Sequence, residues 1–196
     1  MVTRDTSTIS VIVSVGRVLK RSLRKKMGKQ KSREELVQSL QELRQGKLSP
    51  DEIYHTVASF GRMRFLEARP EVEQLLSHQD AEVRYIALNV LAFDWQLVEH
   101  WKTALEVLEH DQEDDNRLQA ANVLGMFKMN TRDQLVLRAL ARVVSNEDDD
   151  SFVRKAAYHA MQDVLHAPEP RVHLENTRKP FDPAKDVDWE LVNSYL

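Results

Sequence analysis

The sequence predicts an all-α protein, a right-handed α-solenoid of stacked helical hairpins, and three observations carry that prediction. Five glycines and six prolines are few for 196 residues, and the stretches between prolines are dominated by Leu, Ala, Glu, Arg and Val, a helical composition. Helix start signals recur along the first half of the chain. A segment in the middle then repeats twice at a near-constant spacing, the signature of stacked supersecondary units. With 42% hydrophobic residues, such a chain can bury a core.

Residues 1 to 32 read as a basic arm or a partly ordered helix. The apolar run from Ile9 to Val15 is too short to span a bilayer, and its basic residues follow it, whereas those of a signal peptide precede it. Arg17, Lys20, Arg21, Arg24, Lys25, Lys26, Lys29, Lys31 and Arg33 then occur without one intervening acid. Ser32 followed by Glu35 forms a capping box, and Leu36, Leu40 and Leu43 give one apolar stripe before Gly46 ends the helix. A second helix starts at Ser49-Pro50, with Ile53, Val57 and Phe60 on one face. Pro70 opens a further short helix that runs to Leu76.

The repeat begins at Asp80. The stretch Asp80 to Leu91 lies over Glu113 to Leu124 with a shift of 33 residues, Asn-Val-Leu matching outright, and Arg154 falls on Arg117 after 37 more. Each of the first two copies is followed by a second helical pattern, at Leu97 to Leu108 and at Arg132 to Val144, so the unit is a helical hairpin. Ala87, Ala120 and Ala157 offer small side chains where helices approach closely, and Leu91, Leu124 and Met161 fill space one turn later.

An acid at the helix start, then Val-Arg, then paired alanines and Val-Leu, resembles HEAT repeats, especially the short variety named after the phycobiliprotein lyases. Val83-Arg84 and Val153-Arg154 carry the match, while Asn116 stands where the middle copy should have valine. The resemblance covers residues 80 to 166, extends weakly over 49 to 79, and implies a HEAT-like domain over 33 to 167. After Leu165 the prolines 168, 170, 180 and 183 break the helical pattern. Residues 168 to 196 are therefore expected as an extension that docks Phe181, Trp189, Leu191, Tyr195 and Leu196 as a cap, with Asp182-Pro183 starting one last short helix.

Asp80, Glu113 and Asp150 precede Arg84, Arg117 and Arg154 by four residues each, which places acid and guanidinium on one helical face. These six are read as structural, ordering the turns between repeats. Asn116 is expected to weaken one helix contact. Trp101 falls in an apolar stripe with Leu97, Leu105 and Leu108, whereas Trp95 sits in a short turn and is expected to be exposed.

Chemistry is sparse. Zero cysteines exclude thiol nucleophiles, thiolate metal sites and disulfides, and the five isolated glycines build no phosphate cradle. The seven histidines form no His-Glu-x-x-His; Glu106 with His110, and Glu99-His100 echoed by Glu109-His110, read as solvated helix ends rather than metal ligands. The carboxylate runs at 113 to 115 and 147 to 150 lie in turns without the apolar setting that tunes an acid catalyst. No catalytic residue, metal or cofactor is assigned.

The formal charge of -3 divides into +9 over residues 1 to 33 and -12 over the rest. The expectation is a cytoplasmic, non-catalytic scaffold or adaptor that binds another protein, one with an acidic surface, through its helical-repeat face and basic arm. Binding candidates are Arg17, Lys20, Arg21, Arg24, Lys25 and Lys26 on the arm, with Lys102, Arg138 and Arg142 on the second helices. The alternative is a nucleic-acid-binding helical-repeat protein, with a lyase-like or metal-dependent enzyme third.

Overall fold

In the computed structural model, residues 31–165 and 181–196 are described, so the arm residues Arg17, Lys20, Arg21, Arg24, Lys25 and Lys26 lie outside them. The chain divides between Gln38 and Ser39 into two units. In the first, the start of helix α1 (Arg33–Arg44) is closed by its capping box. The Ser32 amide donates to Glu35 Oε2 at 2.6 Å and the Glu35 amide donates to Ser32 Oγ at 3.2 Å.

The second unit begins within α1, whose end is marked by Gly46 at φ +65°, a conformation glycine adopts without a Cβ penalty. Helix α2 (Pro50–Arg62) repeats the capping chemistry with Ser49 and Glu52, has Pro50 in its first turn, and buries Ile53, Val57 and Phe60. Helix α3 (Arg69–Gln74) is short and flanked by 3₁₀ turns at Leu66–Ala68 and Leu75–Ser77. Then follow α4 (Ala81–Asn89), α5 (Trp101–His110), α6 (Asp114–Phe127), α7 (Gln134–Ser145) and α8 (Ser151–Leu165). Among the described residues there is no strand, and no helix is long and apolar enough to cross a membrane.

The fold is a multi-helix all-α domain. Helix α6 is central: it packs on α8, on α5 and, less extensively, on α4, while α7 lies against α8. The repeated alanines are fully buried, Ala87, Ala120 and Ala157 each at 0% exposure, with Leu91, Leu124 and Met161 also closed off from solvent. The elements are uneven nonetheless. Helix α3 is half the length of α7, and α4 runs into a π-helical turn at Val90–Asp94 that α6 and α8 lack.

That π-turn corrects the expectation for Trp95. Its side chain is 3% exposed, and its indole Nε1 donates to the Phe60 carbonyl of α2 at 3.4 Å. The extra residue of the π-turn rotates the chain inward, so the tryptophan closes the core instead of facing water. The turn also presses Asp94 onto α2, where a Cβ on Gly61 would lie 2.0 Å from Asp94 Oδ2. Burial pushes the Asp94 carboxyl above its ordinary range, against the pull of Arg62 and Arg64. A group raised in the folded state contributes its stability below the unfolded pKa and loses it as pH rises through the folded value. Asp94→Asn is therefore expected to raise the thermal midpoint at neutral pH and to change it little near pH 4, as read by circular dichroism at both.

Residues 181–196 form two short helices where one was expected, α9 (Pro183–Asp186) and α10 (Trp189–Asn193). Two aspartates cap two starts: Asp182 accepts from the Ala184 amide and Asp188 from the Leu191 amide. Val187 and Val192 are buried in the core, with Phe181, Trp189, Leu191 and Tyr195 packed against it, whereas Leu196, expected to dock with them, is exposed at the end of the segment. The Asp188 amide donates to the Tyr158 hydroxyl at 3.0 Å, tying the segment to α8. Removing residues 181 to 196 is expected to expose this apolar surface and cause self-association, seen as a rise in mass by light scattering; a truncated chain that stays monomeric contradicts it.

Candidate interaction surface

The three repeat arginines do not pair with the acids four residues before them. Asp80 and Asp150 are N-caps, each accepting through Oδ1 from the two amides that follow, Glu82 and Val83 in one case and Phe152 and Val153 in the other. Glu113 occupies the same position without a side-chain cap. Committed to helix amides, the capping carboxylates leave the guanidinium groups to reach further.

Arg84 on α4 makes a two-pronged pair with Asp111, 27 residues on, through Nε to Oδ2 and Nη2 to Oδ1, both at 2.8 Å. Its remaining donor Nη1 reaches the His78 and Gln79 carbonyls at 2.9 and 3.0 Å. Arg117 on α6 reaches Asp149, 32 residues on, at 2.7 and 3.2 Å, and also holds Asp114. Asp111 stands just before α6 and Asp149 just before α8, so each arginine is tied to the turn that opens a later helix. Arg154 on α8 is 9% exposed and donates Nε to the Val144 carbonyl at 3.0 Å.

The middle-copy asparagine also departs from expectation. Asn116 is 3% exposed, and its Nδ2 donates to the Ala81 carbonyl and to Asp111 Oδ2, both at 3.2 Å. A valine there could make neither bond, so the substitution adds a polar link between α4 and α6 where a weaker contact was expected. Burial pushes the Asp111 carboxyl up, but bonds from Arg84, the Glu113 amide and Asn116 outweigh burial and hold it below the usual carboxylate range.

Lys102, Arg138 and Arg142 lie exposed on α5 and α7. Arg142 has one loose partner, Glu109 at 3.9 Å, and Lys102 stands 5.8 Å from the Trp101 ring. Trp101 is half-buried against the core and is covered instead by Lys128, whose Nζ is 3.3 Å from the ring centroid and 2.7 Å from Asp133 Oδ2. Glu106 and His110 both border a groove of about 350 Å³ beside Arg84 and Asp111. Among the described residues no group of three His, Asp or Glu side chains is arranged to hold a metal ion.

Two further clusters were not foreseen. His100, read from the sequence as a solvated helix end, is instead 8% exposed, with Nε2 3.1 Å from Glu73 Oε1, and Arg69 bridges Glu73 and Glu99 at 2.6 and 2.9 Å. The second cluster is a groove of about 340 Å³ where α2, α4 and the start of α6 meet, lined by Tyr54, Ala81, Glu82, Tyr85, Glu113, Asp115 and Asn116. Only the fold brings these residues together, since they span three helices. Compared with family models, with curated proteins and with solved structures, the chain matches none.

Proposed function

We propose that the chain is a short HEAT-like solenoid acting as a non-catalytic scaffold or adaptor, which binds a partner protein through its helical face and its basic N-terminal segment. The observation that supports this reading most is the recurring arginine tie, Arg84 to Asp111 and Arg117 to Asp149. Ties at equivalent positions fix the angle between successive repeats, which keeps a broad surface in one shape. Lys102, Arg138 and Arg142 place cations on the second helices of that surface. The block from Arg17 to Arg33 supplies encounter rate to an anionic patch, and the helical face supplies the shape selectivity that a charged segment lacks.

Co-purification with the tagged full chain at low and moderate salt, assayed for protein and nucleic acid, tests the reading. A single protein recovered in constant ratio and insensitive to nuclease is expected. Association abolished by nuclease overturns the reading in favour of nucleic acid, the partner that the +9 charge of residues 1 to 33 also attracts. If the basic segment carries the electrostatic part, replacing Arg17, Lys20, Arg21, Arg24, Lys25 and Lys26 by glutamine flattens the salt dependence of binding. A full salt slope in that variant assigns the attraction to Lys102, Arg138 and Arg142 instead.

A further inference from the structure

The groove between α2, α4 and α6 has walls and a rim of different chemistry. Tyr54 and Tyr85, from two helices, are half-buried phenols, and neither hydroxyl has a hydrogen-bond partner among the described residues. The floor is Asn116, whose amide is already engaged with Ala81 and Asp111. Around the rim stand Glu82, Glu113 and Asp115, all exposed and none paired with a Lys or Arg among the described residues. Among the described residues no Lys, Arg or His lines the groove. Arg84, next to Tyr85 in the chain, feels the Glu113 charge but is held by Asp111 at 2.8 Å. Burial, then Tyr54 and the Asp115 charge, push the Tyr85 phenol up, so the wall is both desolvated and in a negative field.

We infer that this groove receives a lysine- or arginine-bearing segment of the partner protein, with a cationic head between Tyr54 and Tyr85 and the rim carboxylates Glu82, Glu113 and Asp115 around it. Aromatic faces and carboxylates both attract an ammonium or guanidinium, and among the described residues no Lys or Arg within 4 Å takes up the rim carboxylates. Phosphate is repelled by the same rim. At about 340 Å³ the space exceeds one guanidinium and takes the neighbouring residues of an extended chain. The inference rests on the protein-binding reading and adds a second polarity to it: cations on the second helices, a cation receptor at the start of the first ones.

Hexa-arginine titrated onto the full chain by calorimetry, with tyrosine side-chain NMR as the local reporter, tests it. Binding is expected to shift the Tyr54 and Tyr85 resonances, to weaken about fivefold or more in Tyr85→Leu, and to be kept in Tyr85→Phe, which retains the ring face. The double substitution Glu113→Gln with Asp115→Asn should weaken binding similarly. Glu147→Gln with Asp148→Asn, in the other acidic turn, should not. Equal loss in that control, or free arginine binding as tightly as the peptide, overturns the assignment. So does binding that emerges only when the N-terminal basic residues are changed to glutamine, because the occupant is then the chain's own segment. Co-purification of a protein partner can succeed while this titration fails, so the two readings fall separately.

Discussion

Asp111→Ala is expected to destabilise the protein by about 3 to 5 kcal/mol, the cost of removing one partner from a buried ion pair. The carboxylate is 5% exposed and faces an Arg84 side chain that is 18% exposed, so the guanidinium left behind has little water to turn to. Two bonds from Arg84, one from Asn116 and one from the Glu113 amide are lost together. At roughly 2 to 4 °C per kcal/mol for a chain of this size, the thermal midpoint should fall by about 10 °C. Acid titration gives an independent check. Because the folded carboxyl is held below its unfolded pKa, its stabilisation is present above that unfolded value and disappears as pH falls through the folded one. The wild type should lose that increment on acidification, and Asp111→Asn should have none to lose. An unchanged midpoint in Asp111→Ala would show that the tie contributes nothing.

Ala120→Leu is expected to cost about 1 to 3 kcal/mol by overpacking. Ala120 is at 0% exposure in a cluster that includes Leu124, Leu137, Val153 and Met161, with no solvent side to accept three more carbons. Neighbouring positions show how close α6 and α8 run: a Cβ on Gly125 would lie 3.1 Å from the Ala160 Cα and 2.9 Å from Asp163 Oδ2. Helix α6 has little freedom to retreat from an added side chain. Chemical denaturation should give a lower midpoint with an unchanged slope; a wild-type midpoint would mean that the crossing adapts.

The parts of this fold that were legible in the sequence are those fixed within one helical turn. Ser32 with Glu35 and Ser49 with Glu52 are capping boxes because each partner is three residues from the other, and nothing distant competes. The buried alanines could be read because small residues recurred at the period of the repeat. What failed depended on groups far apart in the chain. The four-residue spacing of Asp80 and Arg84 allows a pair on a helix, but the capping amides of Glu82 and Val83 had already engaged the carboxylate, and Asp111 became available only through folding. Trp95 looked exposed because its acceptor, the Phe60 carbonyl, lies 35 residues earlier. Gly61 and Gly125 passed as isolated glycines, since a close approach is visible only once Asp94 and Ala160 are in place. The tyrosine-walled groove is of the same kind, with no local pattern linking Tyr54, Tyr85 and Asp115.

The arginine ties also bear on how the molecule opens. Each guanidinium belongs to one helix and each carboxylate to the turn that starts the next, so unzipping α4 strips the partner from the entry to α6, and unzipping α6 does the same at the entry to α8. Helices linked in this way are expected to exchange their amide hydrogens as one cooperative unit, with protection set by the shared opening rather than by the burial of each helix alone. In Asp111→Ala that unit should split, the amides of Ala81–Asn89 exchanging faster than those of Ser151–Leu165, which the remaining tie at Asp149 still holds.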